Sequence, residues 1–198
     1  MLPKEWEVAH NPPSDGDCGP ASILHVLRAR PASAHARYPA TALEVRRQVV
    51  AFMTVHFAFF FALAPSLLER GTFDDGAMRE YLNKSFQRGS FWSALELCAA
   101  ALLYGLDVLV MFPGSTSLQA SALEMVHALA AAHGVGVYLA DLLPATASPE
   151  CVVLGLHNAH YYVLKHLPPL CPGVLLRASG RVRLFCMSGL PFHRAGFG

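Results

Sequence analysis

From Val49 to Leu68 the chain carries no Asp, Glu, Lys or Arg, and the same run holds Phe52, Phe57, Phe59, Phe60 and Phe61. A stretch of that length and hydropathy spans a bilayer, forms an exposed partner-binding surface, or is the innermost helix of a substantial core. Thr54, His56, Pro65 and Ser66 interrupt its apolar character, and the Arg46-Arg47 pair before it equally suits the start of a soluble helix. A buried core helix is therefore expected. It needs a domain large enough to surround it, and 198 residues with 54% hydrophobic and 15% charged side chains supply one. With no repeat, low-complexity tract or internal boundary, residues 1–198 read as one domain.

Three helix starts are marked by a hydroxyl residue followed three positions later by Glu: Thr41-Ala42-Leu43-Glu44, Ser93-Ala94-Leu95-Glu96 and Ser121-Ala122-Leu123-Glu124. In such capping boxes each side chain satisfies a backbone N–H that the helix leaves open. A shorter helix is expected after Asp74-Asp75, through Met78, Tyr81 and Leu82. Pro20 suits the first turn of another, because its missing N–H costs nothing there. Residues 1–17 read as a loop, on Asn11-Pro12-Pro13-Ser14 and Asp15-Gly16, and residues 30–40 as a Pro/Ala/Ser connection. Strand-like runs are Leu106–Phe112, Val135–Leu139, Cys151–Leu156, Tyr161–Leu167 and Arg181–Met187. Helices dominate the first half and strands the second. The expected fold class is α+β (mixed α/β), a central β-sheet packed between helices.

A formal net charge of +1, from 15 basic and 14 acidic residues, gives no general attraction for nucleic acid. The five cysteines, Cys18, Cys98, Cys151, Cys171 and Cys186, are odd in number and contain no CxxC. Reduced thiols in a cytoplasmic setting are expected. The first residues, Met1-Leu2-Pro3-Lys4-Glu5-Trp6-Glu7, lack the basic start and apolar centre of a secretory signal.

Two segments carry the chemistry. Asp15-Gly16-Asp17-Cys18-Gly19-Pro20 puts a cysteine at the mouth of a helix, where unpaired N–H groups and the positive end of the helix dipole favour a thiolate. The same N–H groups suit the oxyanion that forms when a thiolate attacks a carbonyl. Some 140 residues later, Leu156-His157-Asn158-Ala159-His160-Tyr161-Tyr162 sets a polar turn between two apolar runs. His160 at the start of the second run is a candidate to take the thiol proton and return it to a leaving amine. In an extended segment His157 and His160 would point to opposite faces, so zinc is not expected from this HxxH unless the turn folds back. P-loop, GxGxxG, HExxH and GxSxG motifs are all missing.

With these residues the chain resembles the ovarian tumour (OTU) family of cysteine deubiquitinases. The family's Asp-Gly-Asn/Asp-Cys is matched by Asp15-Gly16-Asp17-Cys18, and its aliphatic strand leading to His-Tyr by His160-Tyr161. Its Trp before a Glu-bearing helix and hydrophobic strand is matched by Trp92, Glu96 and Leu106-Asp107-Val108-Leu109-Val110. Order and spacing agree over roughly residues 8–166. The resemblance implies a papain-like thiol isopeptidase acting at the C-terminus of ubiquitin or a ubiquitin-like modifier. It implies Cys18 as nucleophile, His160 as general base and acid, and Asp15 in the loop that shapes the oxyanion hole. Gly16 and Asp17 of that loop, with Trp92 and Tyr161 as channel walls, are the candidate substrate-binding residues.

Two departures stand out. Many members carry Asp or Asn two positions after the histidine, where this chain has Tyr162. Asn158, on the same strand face as 160 and 162, is the candidate to orient the ring instead. Ser93-Ala94 stands where the family commonly has Gly-Gly. The expected partners are ubiquitin or ubiquitin-like conjugates, with no nucleic acid and no membrane, and the expected state is a monomer without cofactor or metal. A viral protein or bacterial effector in a host cytoplasm is compatible with the low similarity outside the motifs. The alternatives are a catalytically inactive ubiquitin-binding relative and another papain-like cysteine hydrolase.

Overall fold

The computed structural model describes residues 4, 6–30, 38–68, 73–112, 121–136, 142 and 150–167. In chain order the described elements are β1 (Trp6–His10), α1 (Cys18–Ala29), α2 (Ala42–Val55), α3 (Phe57–Leu67), α4 (Asp75–Phe86), α5 (Ala94–Tyr104), β2 (Leu106–Met111), α6 (Ala122–Ala132), β3 (Glu150–His157) and β4 (His160–His166). This is an α+β arrangement with a four-stranded mixed sheet in the order β1-β4-β3-β2. β2 and β3 run parallel, while β3, β4 and β1 are antiparallel neighbours.

All three capping boxes form, at Thr41 of α2, Ser93 of α5 and Ser121 of α6. Asp74 caps α4 by accepting from the Ala77 N–H. The uncharged aromatic run is not one helix. α2 and α3 meet at 106°, because His56 leaves helical geometry (φ −102, ψ 39) and serves as the C-cap of one and the N-cap of the other. The bend lets both helices face inward. Val49, Val50 and Met53 of α2 and Phe59, Phe60 and Leu63 of α3 are all buried, whereas Val55 at the corner is exposed. Among the described residues no single helix is long and apolar enough to cross a membrane.

The strands show the period of two that sheets impose. Val108, Val110, Val152, Leu154, Leu156, Tyr161 and Val163 face the large core that α1–α6 fill, while Leu109, Met111, Val153 and Leu164 form a smaller cluster on the other face. Residues 1–17, expected to be loop throughout, contain β1. Its central residues Val8 and Ala9 are exposed, and Ala9 bulges out of the pairing with β4. A half-exposed edge strand lacks the apolar alternation that reveals one in a sequence. Of the other expected strands, Val135 and Gly136 are not in a strand. The remainder of Val135–Leu139 and all of Arg181–Met187 lie outside the described residues.

α5 runs through the middle of the core with Ala94 to Leu102 all buried. Such a helix must satisfy any charge it carries, and Glu96 is fully buried. Its carboxylate accepts from the Tyr81 hydroxyl (2.6 Å), the Ser85 hydroxyl (2.6 Å), and the N–H (2.8 Å) and hydroxyl (2.7 Å) of Ser93. The helix stops at Gly105 (φ +61), whose left-handed conformation turns the chain directly into β2.

Candidate active site

The loop before α1 is a tight structure with backbone against backbone. Asp15 Oδ1 accepts the Asp17 N–H at 3.0 Å, closing a turn. Gly16 takes φ +85, and a Cβ there would lie 1.9 Å from the Gly89 carbonyl oxygen. Only glycine fits. Below the loop the Trp92 ring packs against Gly19, whose Cβ would sit 3.2 Å from it. α1 then begins with Cys18 itself, and no side chain caps it.

Sheet order brings the segments around Cys18 and His160 together. β1 stops pairing with β4 at His10–Val163, two residues short of Tyr161. There the Cys18 sulfur takes the place of a strand partner: the Tyr161 N–H donates to Sγ at 3.4 Å, and the Sγ–H donates to the Ala159 carbonyl at 4.0 Å. These two backbone atoms flank His160. The His160 ring does not hydrogen-bond the sulfur; its Nε2 donates to Asn11 Oδ1 at 2.7 Å, and its Nδ1 is buried with no hydrogen-bond partner. The Asn11 pairing puts the ring proton on Nε2 and leaves Nδ1 as the basic nitrogen.

Asn158 is corrected. It stands in the two-residue turn of the β3–β4 hairpin with φ +50, next to Ala159 at φ +58, and not on the strand face of His160. The turn residues adopt the left-handed conformation that such hairpins require. The imidazole is held from β1's end by Asn11, which in the sequence has the character of a breaker before Pro12-Pro13. Tyr162 lies against Gly155, its cross-strand neighbour, where a Cβ would come within 2.1 Å of the ring. His157 and His160 face each other across the hairpin, yet among the described residues no three His, Cys, Asp or Glu gather as metal ligands.

Trp92 and Tyr161, considered as channel walls, are each 1% exposed and belong to the core. The Tyr161 hydroxyl donates to the Trp92 carbonyl at 3.2 Å and its ring stacks on Phe91. Burial first, then the charges of Glu96, Cys18 and Cys98, push its phenol far above the ordinary range. The pair therefore supports the Cys18 loop from below. Asp17, considered as substrate-binding, is also turned inward. Its Oδ1 accepts from Arg46 Nε at 2.9 Å and from the Gly89 N–H at 3.3 Å, and its Oδ2 from the exposed Arg88 at 3.3 Å.

Arg46, expected only as part of a helix start, is fully buried. Besides Asp17 it donates to the Ser85 carbonyl (2.9 Å), the Gly16 carbonyl (2.9 Å) and the Ser90 carbonyl (2.6 Å), and it lies over the Trp92 ring. One guanidinium fork thus joins the Cys18 loop, the end of α4 and the loop after it. A signal was present: Arg46 shares the buried stripe of α2 with Val49, Val50 and Met53. A charge on an apolar stripe demands a partner.

The fold is similar to two solved structures. One, described as the OTU domain of OTUD1, has a TM-score of 0.49 and 17% identity, covering 80% of this chain and 85% of that one. The other, the Hazara virus OTU bound to ubiquitin, has a TM-score of 0.47 and 16% identity, covering 81% of each chain. No protein-family model and no curated protein matches the sequence.

Proposed function

We propose that the protein is a thiol hydrolase of the deubiquitinase type, cleaving isopeptide bonds at the C-terminus of ubiquitin or a ubiquitin-like modifier. The supporting observation is local: the Cys18 sulfur sits on the backbone that carries His160, whose Nδ1 is buried and unpartnered. The substrate half rests on the resemblance of Asp15–Cys18 and His160-Tyr161 to the OTU motifs.

In this reading Sγ turns from the Ala159 carbonyl and gives its proton to His160 Nδ1. The thiolate attacks the carbonyl carbon of the modifier's last residue, and the resulting oxyanion is met by N–H groups at the start of α1. The imidazolium returns its proton to the departing lysine amine as the C–N bond breaks, leaving a thioester on Cys18. Water, deprotonated by His160, then attacks the thioester, and the thiol is regenerated with release of the carboxylate. Asn11 keeps the ring in the tautomer that both steps need.

A ubiquitin suicide probe carrying an electrophile at its C-terminus should label wild type at Cys18. Cys18→Ala and His160→Ala should each abolish hydrolysis of a C-terminal ubiquitin amide. Normal turnover in Cys18→Ala would end the proposal. Labelling by a small electrophile but by no ubiquitin-like probe would keep the thiol hydrolase and discard the substrate.

A further inference from the structure

Aspartate is a preferred helix N-cap, and Asp17 occupies that position in α1. It does not cap. Its backbone carbonyl accepts the Ala21 N–H at 2.9 Å, but its carboxylate is drawn away to Arg46 and the Gly89 N–H. Pro20 has no N–H, so the donors left at the helix start belong to Cys18 and Gly19. A carboxylate folded back onto those donors would occupy them and set a negative charge beside the sulfur.

We propose that Arg46 is a positioning residue whose role is to withhold the Asp17 carboxylate from the α1 N-terminus, keeping those donors open and a negative charge away from the Cys18 sulfur. The inference rests on the thiol-hydrolase reading of Cys18. The geometry suits it: the guanidinium is fully buried, reaches Asp17 through Nε and, at 2.8 Å, through Nη2, and is itself fixed by three carbonyls. Among the described residues, the charged and titratable groups around the loop include Asp15 and Asp17 on it, Arg46 on α2, Arg88 after α4, and His160 and Tyr161 on β4. Of these, Arg46 and Arg88 touch the Asp17 carboxylate, and Arg88 does so from an exposed position.

A purely structural ion pair would change stability and leave thiol chemistry alone; a withholding role makes the two separable. The test is the rate of Cys18 alkylation by iodoacetamide as a function of pH in the full chain, with site occupancy read by mass spectrometry and folding by thermal melt. In Arg46→Met the pH of half-maximal rate should rise by about one unit. Adding Asp17→Ala to that variant removes the offending carboxylate and should return the profile to near wild type. Arg88→Ala should leave it unchanged.

An unchanged profile in folded Arg46→Met, or a double variant as impaired as the single, overturns the inference while leaving the hydrolase reading intact. If Arg46→Met does not fold, Arg46→Lys replaces it with the same expected outcomes, since one ammonium cannot hold Asp17 and three carbonyls together. A folded wild type whose Cys18 is never alkylated overturns the hydrolase reading, and this inference with it.

Discussion

Replacing Asn11 with alanine is the sharpest test of how the imidazole is held. The structure gives one contact to remove, the 2.7 Å bond from His160 Nε2 to Asn11 Oδ1, made by an exposed side chain. A neutral hydrogen bond of this kind has a net worth of about 0.5–1.5 kcal/mol, and solvent at Asn11 supports the low end for stability. Catalysis should suffer more, because the freed ring can rotate and exchange its proton between nitrogens. Loss of an orienting partner costs about 10- to 100-fold, and an exposed neutral amide places Asn11 near the tenfold end. The assay is steady-state hydrolysis of a C-terminal ubiquitin amide, with kcat and KM separated. The fall should lie in kcat, with melting temperature nearly unchanged. Asn11→Asp keeps the acceptor and should retain most of the activity. Asn158→Ala should behave oppositely. Its left-handed φ should cost about 1 kcal/mol, a melting shift of about 2–4 °C, with near wild-type kinetics. Wild-type kcat in Asn11→Ala, or an equal loss in Asn158→Ala, would refute the assignment.

Gly16→Ala should disable alkylation and turnover, because the new Cβ meets the Gly89 carbonyl at 1.9 Å and φ is +85; a variant with wild-type melting and reactivity would contradict the loop packing. Glu96→Ala strands the Tyr81, Ser85 and Ser93 donors in the core, so a loss of about 3 kcal/mol, read by chemical denaturation, is expected. Burial, reinforced by Glu96, pushes the Cys98 thiol up to about 12, so native protein at pH 8 should leave Cys98 unmodified under iodoacetamide, as peptide mapping can check. Burial and the stacked His10 ring, 4.3 Å away, lower the pKa of His25 below its ordinary 6.5. The unfolded chain then binds that proton more readily. Stability should therefore fall as pH drops below about 6.5, and His25→Gln should flatten that part of the melting profile.

What could be read from the sequence was what neighbouring residues decide. The capping boxes at Thr41, Ser93 and Ser121 are closed by side chains three positions apart, and all three formed. The turn at Asp15-Gly16 and the start of a helix near Cys18 are equally local. Asn11 was out of reach because its partner lies 149 residues further on. Before Pro12-Pro13 an Asn is indistinguishable from an ordinary breaker. β1 was hidden by its exposure at the sheet edge, and the corner at His56 by hydrophobicity, which favours burial but does not dictate whether a run stays straight. Arg46 is legible as a charge on the buried stripe of α2. Beside Arg47 it suits the start of a soluble helix, but its place on an apolar stripe asks for a buried partner.

The pairing of β1 with β4 has a practical consequence. The residue that steadies the imidazole follows immediately after an edge strand, so trimming the amino end through Asn11 would remove a sheet margin and an auxiliary of the chemistry in one cut. A shortened protein of that kind could melt as a recognisable domain and still turn over poorly, and its inactivity would say nothing against Cys18 or His160.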